Sequence, residues 1–344
     1  MKIDKEQLLY ARLKNQFLIE RAPCAAVVSA LCGLQAQFAN NPKHALRIRA
    51  GDFDESSWSD GLVKVWSLRH TLHTVRLDEL GLFLSASGVP EKWEDAWGLK
   101  GNQVEHAALF LLEQIRFGVD EREELRKACR EAGFRQEELD KIFHGWGGVF
   151  YEMNQRGLIA YHPGTRKKFL PCSGVSFMET NEARALVLSR YFQAYGPATL
   201  EDCAAFTGYK KREILGLIER HGIMLRSVSV GGADYFYLGV LPGVGTIPPC
   251  LFLAGFDQMI MGYKNRECIL EDEFKREVIT TSGIILPTVL LNGRISARWR
   301  IDGARLIIVP FVKLSKKDRS TIAAYGKMLF GSAMINVFAG QHRS

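Results

Sequence analysis

Gln35 and Gln37 stand two residues apart in Leu31-Cys-Gly-Leu-Gln-Ala-Gln-Phe-Ala-Asn-Asn-Pro42, between an apolar run and a helix breaker. Each amide offers a carbonyl acceptor and an NH2 donor, so a converging pair can hold one water or one base edge. Spacing decides whether they converge. On a helix, i and i+2 point roughly 200° apart; on extended chain they share a face. The apolar spacing predicts a helix from about Pro23 into the glutamine stretch. Pro42 disfavours helix at Asn41, so that helix should end nearby. A polar helix end on the surface is the plain alternative.

Other side chains could serve nucleic acid. Arg69 and His73 flank a turn between two strand-like segments. They could stand beside the glutamines or a phosphate, or form a buried polar pair that holds the ribbon to its helices. Lys210, Lys211 and Arg212 start a helix, an unfavourable place for cations beside the helix dipole unless a phosphate meets them. Arg294, Arg298 and Arg300 alternate on a hairpin, which favours one shared face. Arg166-Lys167-Lys168 sit at a wing tip and read as solvated. Asp257 reads as a structural hydrogen-bond partner, and Trp66 and Trp299 as core.

Conventional catalytic sets are absent: no His-Glu-x-x-His, no Gly-x-Ser-x-Gly and no close carboxylate pair. The seven cysteines are scattered, without a Cys-x-x-Cys pair, which argues against a zinc site and for reduced thiols. No metal and no cofactor are expected.

The elements that must position these residues follow from periodicity. Apolar content of 47% and charged content of 24% are ordinary for a soluble globular protein, and 344 residues exceed a single core. The net charge of +7 permits nucleic-acid binding without requiring it. No apolar run is long enough to span a bilayer, and the charged N-terminus lacks a signal-peptide core. A helix-helix-helix-ribbon order reads three times, over residues 1–100, 101–176 and 177–245. This is the order of a winged helix, so the default function is duplex DNA binding. Residues 246–344 turn β-rich, with a strong Asn292-Gly293 hairpin signal, and read as a small β-barrel with a closing helix. The expected fold is thus α+β: three tandem winged-helix units followed by a C-terminal β-barrel.

Several stretches together resemble the AlkZ/YcaQ-type winged-helix DNA glycosylases, from about residue 5 to 335. Gly33-Leu-Gln-Ala-Gln37 is similar to their Gln-Φ-Gln motif. Trp66-Ser-Leu-Arg-His-Thr-Leu-His73 resembles their Trp-x-x-Arg-Gly-Thr-Leu-His, with His70 where the family usually has Gly. Gly196-Pro-Ala-Thr199, Leu253-Ala-Gly-Phe-Asp257 with Gly262-Tyr263 and Arg266, and Gly293-Arg294 with Trp299-Arg300 continue the pattern. The resemblance implies a monofunctional DNA glycosylase that hydrolyses the N-glycosidic bond of N7- or N3-alkylated purines. Bulky adducts and interstrand crosslinks are included. Gln35 and Gln37 would position the water. Related members carry a carboxylate where this chain has Gln37, which places it nearer the AlkZ side. The expected partner is double-stranded DNA with alkylated purines. The expected state is a monomer, cytoplasmic and associated with the nucleoid. A non-catalytic winged-helix regulator and a self-resistance protein that binds a DNA-reactive small molecule remain as alternatives.

Overall fold

The computed structural model describes residues 1–164 and 168–339. The wing-tip cations Arg166 and Lys167, and the tail from Gln341, lie outside the described residues. In chain order the N-terminal part runs α1 (Lys5–Asn15), α2 (Cys24–Ala30), β1 (Leu34–Gln35), α3 (Asn40–Arg49), β2 (Leu62–Trp66), β3 (Leu72–Arg76) and α4 (Leu80–Ser87). The middle adds α5 (Gly101–Arg116), α6 (Arg122–Glu131), α7 (Gln136–Ile142), α8 (Val149–Gln155), β4 (Ile159–Tyr161), β5 (Phe169–Pro171) and α9 (Thr180–Ala194). Then come α10 (Leu200–Thr207), α11 (Lys211–Arg220), β6 (Arg226–Val230) and β7 (Ala233–Tyr237). The remainder holds β8 (Cys250–Leu253), α12 (Gln258–Met261), α13 (Lys275–Val278), β9 (Thr288–Leu291), β10 (Arg294–Asp302), β11 (Arg305–Pro310), α14 (Lys316–Phe330) and β12 (Ile335–Phe338).

Two compact units result, and neither is a single stretch of chain. One comprises Met1–Gln35, Asn40–Trp58 and the chain from Leu188 onward; the other comprises Ala36–Ala39 and Ser59–Val187. The element order had suggested four consecutive units. The helix-helix-helix-hairpin order itself is present at α9, α10, α11 and β6–β7.

In the second unit the two ribbons join. β2 pairs antiparallel with β3 from Leu62↔Arg76 to Trp66↔Leu72, and with β4 at Lys64↔Tyr161; β4 pairs with β5. One sheet therefore carries both hairpins over a shared core that includes Leu111, Leu125, Phe150 and Phe169. Phe150 and Phe169 stack with ring centroids 4.3 Å apart. Lys168, at the base of the wing tip, pairs with Asp120 and Glu121 at 3.5 and 3.6 Å.

The first unit owes its helix boundaries to caps. Asp4 accepts from the Gln7 N–H at 2.7 Å and starts α1. Thr199 and Asp202 form the reciprocal box that starts α10. Gly208 at φ 80° ends that helix in the left-handed conformation.

The C-terminal strands form an open sheet in the order β12-β11-β10-β9-β8, with β11–β12 parallel. β8 and β12 are its two edges, so among the described residues the expected barrel is not closed. Asn292 and Gly293 take φ 50° and 80°, as their hairpin requires. Trp299 is core: its Nε1 donates to the Leu253 carbonyl at 2.9 Å, and it packs against Phe252 and Phe330. Among the described residues, no helix is long and apolar enough to cross a membrane.

Candidate functional site

The glutamine stretch is not helical. α2 ends at Ala30, and Cys32 and Gly33 follow at φ 55° and 81°. The chain turns through these left-handed residues, the second of them a glycine that takes such angles without steric cost. It then extends over Leu34–Gln35 only; Gln37 follows in a bend beyond that strand. The expected helix into the glutamines therefore stops earlier. Pro42 does not end a helix; it lies in the first turn of α3, which starts at Asn40. A proline is tolerated there because the early N–H groups of a helix have no intrahelical acceptor.

The first unit holds this turn by its carbonyls. Tyr195 Oη donates to the Leu31 carbonyl at 2.8 Å, and Gln258 Nε2 donates to the Gly33 carbonyl at 3.0 Å. Gln258 begins α12, whose cap is Asp257: its carboxylate accepts from the Met259 and Ala254 N–H groups at 2.9 and 3.0 Å. The same carboxylate takes two bonds from Arg49, at 2.9 and 2.6 Å, with both side chains fully buried. Asp257 is therefore a structural partner, as its sequence context suggested. Gln35 itself is 5% exposed.

Gln37 is half-buried and lies in the second unit, where it lines a cleft of about 430 Å³. Lys64, Trp66, Leu72 and Tyr161 of the joined sheet, with Arg122 and the glycine-flanked Trp146, complete the lining. Trp66 Nε1 lies 3.4 Å from Tyr161 Oη. Burial pushes the Tyr161 phenol up to about 12, so it stays neutral and able to donate. Asn154 and Gln155 grip the backbone of Trp66 at 2.9 and 3.0 Å, which fixes that wall. Trp66 is thus partly core and partly cleft.

The turn after Trp66 places both Arg69 and His70 at positive φ, 57° and 53°. A glycine is unstrained there, which explains the residue that the resembling family uses. His70 keeps the turn, since β2 and β3 remain in register, and its Nδ1 lies 3.0 Å from Tyr151 Oη. Arg69 is half-buried. His73 is 2% exposed, with Nδ1 3.0 Å from Ser67 Oγ and 3.1 Å from the Thr71 carbonyl. Burial and then the Arg69 charge push its imidazole down to about 3, so it is neutral and carries no charge for a phosphate. Its buried position is that of a polar group packed inside the ribbon.

The remaining cations are at the surface. Lys210, Lys211 and Arg212 are exposed at the start of α11, with Lys211 paired to Glu201. Arg294 and Arg300 are exposed on β10 and Arg298 is half-buried, while Ile295, Ala297 and Trp299 are buried. The arginines thus face away from the core, as their alternation suggested. Each is held: Arg294 by the Glu267 carbonyl, Arg298 by Glu277 and Arg300 by Asp302. Sequence reasoning missed Arg122, Trp146, Tyr161 and the positioning role of Gln258. Gly145-Trp146-Gly147-Gly148 was the available signal, a large aromatic among glycines. All seven cysteines are free, and among the described residues no His/Cys/Asp/Glu group could hold a metal ion.

An α+β enzyme that excises bases from DNA is the class to which this fold and motif point. The chain belongs to the AlkZ-like DNA glycosylase family, whose model matches residues 28–329. A curated relative, the interstrand DNA cross-link repair glycosylase of Streptomyces sahachiroi, is 29% identical over 363 aligned positions, 94% of this chain and 96% of the relative. The solved structure of Streptomyces sahachiroi DNA glycosylase AlkZ superposes with a TM-score of 0.79 at 26% identity, covering 98% of this chain and all of that one.

Proposed function

We propose that this DNA glycosylase hydrolyses the N-glycosidic bond of N7- or N3-alkylated purines in double-stranded DNA, using a water oriented by Gln35 and Gln37. The observation that carries the reading is the extended Leu34–Gln35 segment followed by Gln37 on the wall of an aromatic cleft. Two neutral amides are weak catalytic groups, and the chemistry asks little of them. Alkylation at N7 or N3 puts positive charge on the base, so it departs as a neutral molecule without protonation. What remains is to set a water beside C1′ and stabilise an oxocarbenium-like sugar, which is positioning and electrostatics.

The cross-link repair named for the Streptomyces relative supports extending the substrates to bulky N7 adducts and interstrand crosslinks. The chain acts as a monomer on duplex DNA in the cytoplasm, at the nucleoid. Exposed cations on α11 and β10 supply the electrostatic attraction. The reaction is monofunctional. Lys64 is among the cleft's lining residues, so borohydride trapping separates water attack from Schiff-base chemistry.

The test is a duplex with a single N7-methylguanine. Incubation should release the free base and leave an abasic site that alkali converts to a strand break, with no break before alkali and no borohydride-trapped complex. Failure to release base, or a trapped adduct, overturns the substrate or the mechanism respectively.

A further inference from the structure

The second unit contains an exposed aromatic that core packing does not account for. Trp146 is 74% exposed, in a loop whose shape its glycines set. Gly147 and Gly148 take φ 134° and 60°; a Cβ on Gly148 would lie 2.1 Å from the Ile142 carbonyl oxygen. The loop is therefore built on glycine, and it holds an indole at the rim of the cleft that Gln37 lines. Trp66 lies in the lining with Trp146, supported edge-on by Tyr151 with ring centroids 5.5 Å apart. Tyr161 adds a neutral phenol, and Gln37 an amide with both donor and acceptor atoms. A volume of about 430 Å³ falls within the roughly 300–1,000 Å³ of small-ligand sites. The lining thus combines two indoles and Leu72 with polar groups that include Lys64 and Arg122, and a purine ring needs π-faces to stack on and hydrogen bonds to its edge.

We infer that this cleft is a stacking site for the damaged purine ring, taken out of the duplex, with Trp146 as the aromatic that closes over it. The inference rests on the glycosylase reading above, in that Gln37 connects the cleft to the chemistry. Trp146 is a binding residue here. It stacks on the ring while Gln35 and Gln37 address the sugar side.

The experiment measures affinity without cleavage, so its outcome is separable from that of the catalytic reading. A 2′-fluoro sugar resists glycosidic cleavage, so a duplex with one 2′-fluoro-N7-methylguanosine holds the lesion intact. Affinities for this duplex and for its undamaged twin are compared for the wild-type protein, Trp146→Ala and Trp146→Phe. Trp146→Ala should weaken binding to the lesion duplex roughly tenfold, the scale of one lost base–aromatic stack. Affinity for the undamaged duplex should stay unchanged, and Trp146→Phe should recover most of the loss. Because Trp146 is solvent-exposed, the melting temperature of both variants should match wild type. Equal losses on both duplexes would make Trp146 a general DNA contact and overturn the inference; so would unchanged lesion affinity. A third duplex carrying a bulky planar N7 substituent identifies the ring: a penalty confined to that duplex assigns the cleft to the substituent and overturns its assignment to the purine.

Discussion

Gln258 donates its amide N–H to the carbonyl of Gly33 at 3.0 Å, across more than two hundred residues of chain. The bond ties the C-terminal Phe-Asp-Gln stretch to the turn that delivers Gln35. Gln258→Ala leaves a carbonyl without that partner, which should cost about 1–2 kcal/mol of stability. The sharper expectation is kinetic. Single-turnover base release should slow while the half-saturating protein concentration holds, because the turn that aims Gln35 loosens and the DNA surface does not change. A rise in that concentration with an unchanged maximal rate would assign Gln258 to DNA binding instead.

Gln35→Ala and Gln37→Ala should each slow release of N7-methylguanine by roughly 10²–10³, the usual cost of losing one electrostatic positioning group. The double variant should be little slower than either single, since both amides act on one water. Gln37→Asp should retain activity, because a carboxylate stabilises a developing sugar cation better than an amide. Binding checked by fluorescence polarisation should be near wild type throughout. Wild-type rates in both alanine variants would remove the glutamines from the mechanism.

Replacing Lys210, Lys211 and Arg212 together with alanine should flatten the dependence of log affinity on log salt by roughly two to three, from about 0.9 per phosphate neutralised. All three are exposed at the α11 start, and only surface pairing such as Lys211–Glu201 is lost. An unchanged slope would remove this helix from the DNA contacts.

Charge reversal at Arg298 and Arg300 should weaken duplex binding and shift stability by less than about 1 kcal/mol, as expected of surface pairs. Their partners are the solvent-exposed carboxylates of Glu277 on α13 and Asp302 at the end of β10, while Trp299 and Ile295 are buried. Thermal melts beside a binding titration decide the matter; a collapsed melting temperature with intact affinity per folded molecule would make the arginines structural.

His73 makes folding acid-sensitive. Its imidazole is held neutral down to about 3, while in the unfolded chain it takes a proton near its ordinary value. The unfolded state therefore binds more protons below about pH 6.5, and stability falls as pH drops through the interval toward 3. The stabilisation is complete above the unfolded value and should shrink by about 2 kcal/mol at pH 5. Denaturant melts at pH 7 and pH 5 should show a smaller difference in His73→Gln than in wild type. An identical pH response in the variant would mean that His73 is not buried as a neutral ring.

Local chemistry determined much of this protein from sequence alone. The Asn292-Gly293 turn, the Thr199 cap and the inward Trp299 follow from short-range backbone preference and periodicity. So does the outward set of arginines on β10. The glutamine motif was legible as a residue pattern; that the chain extends over Leu34–Gln35 and bends at Gln37 was not. What tertiary structure decided is pairing between distant segments. Ribbons read as two separate wings share a sheet through Lys64↔Tyr161, and the β-rich end stays open between β8 and β12. Strand-edge pairing depends on which backbone donors and acceptors meet across long loops, and periodicity within a strand does not encode that. The same holds for the cleft. Gln37, Arg122, Trp146 and Tyr161 are far apart in sequence, and only the joined sheet and the glycine-set loop bring them to one lining. Pro42 shows the limit most simply. Its missing N–H is compatible with either side of a helix boundary, and the packing of α3 chose the N-terminal side.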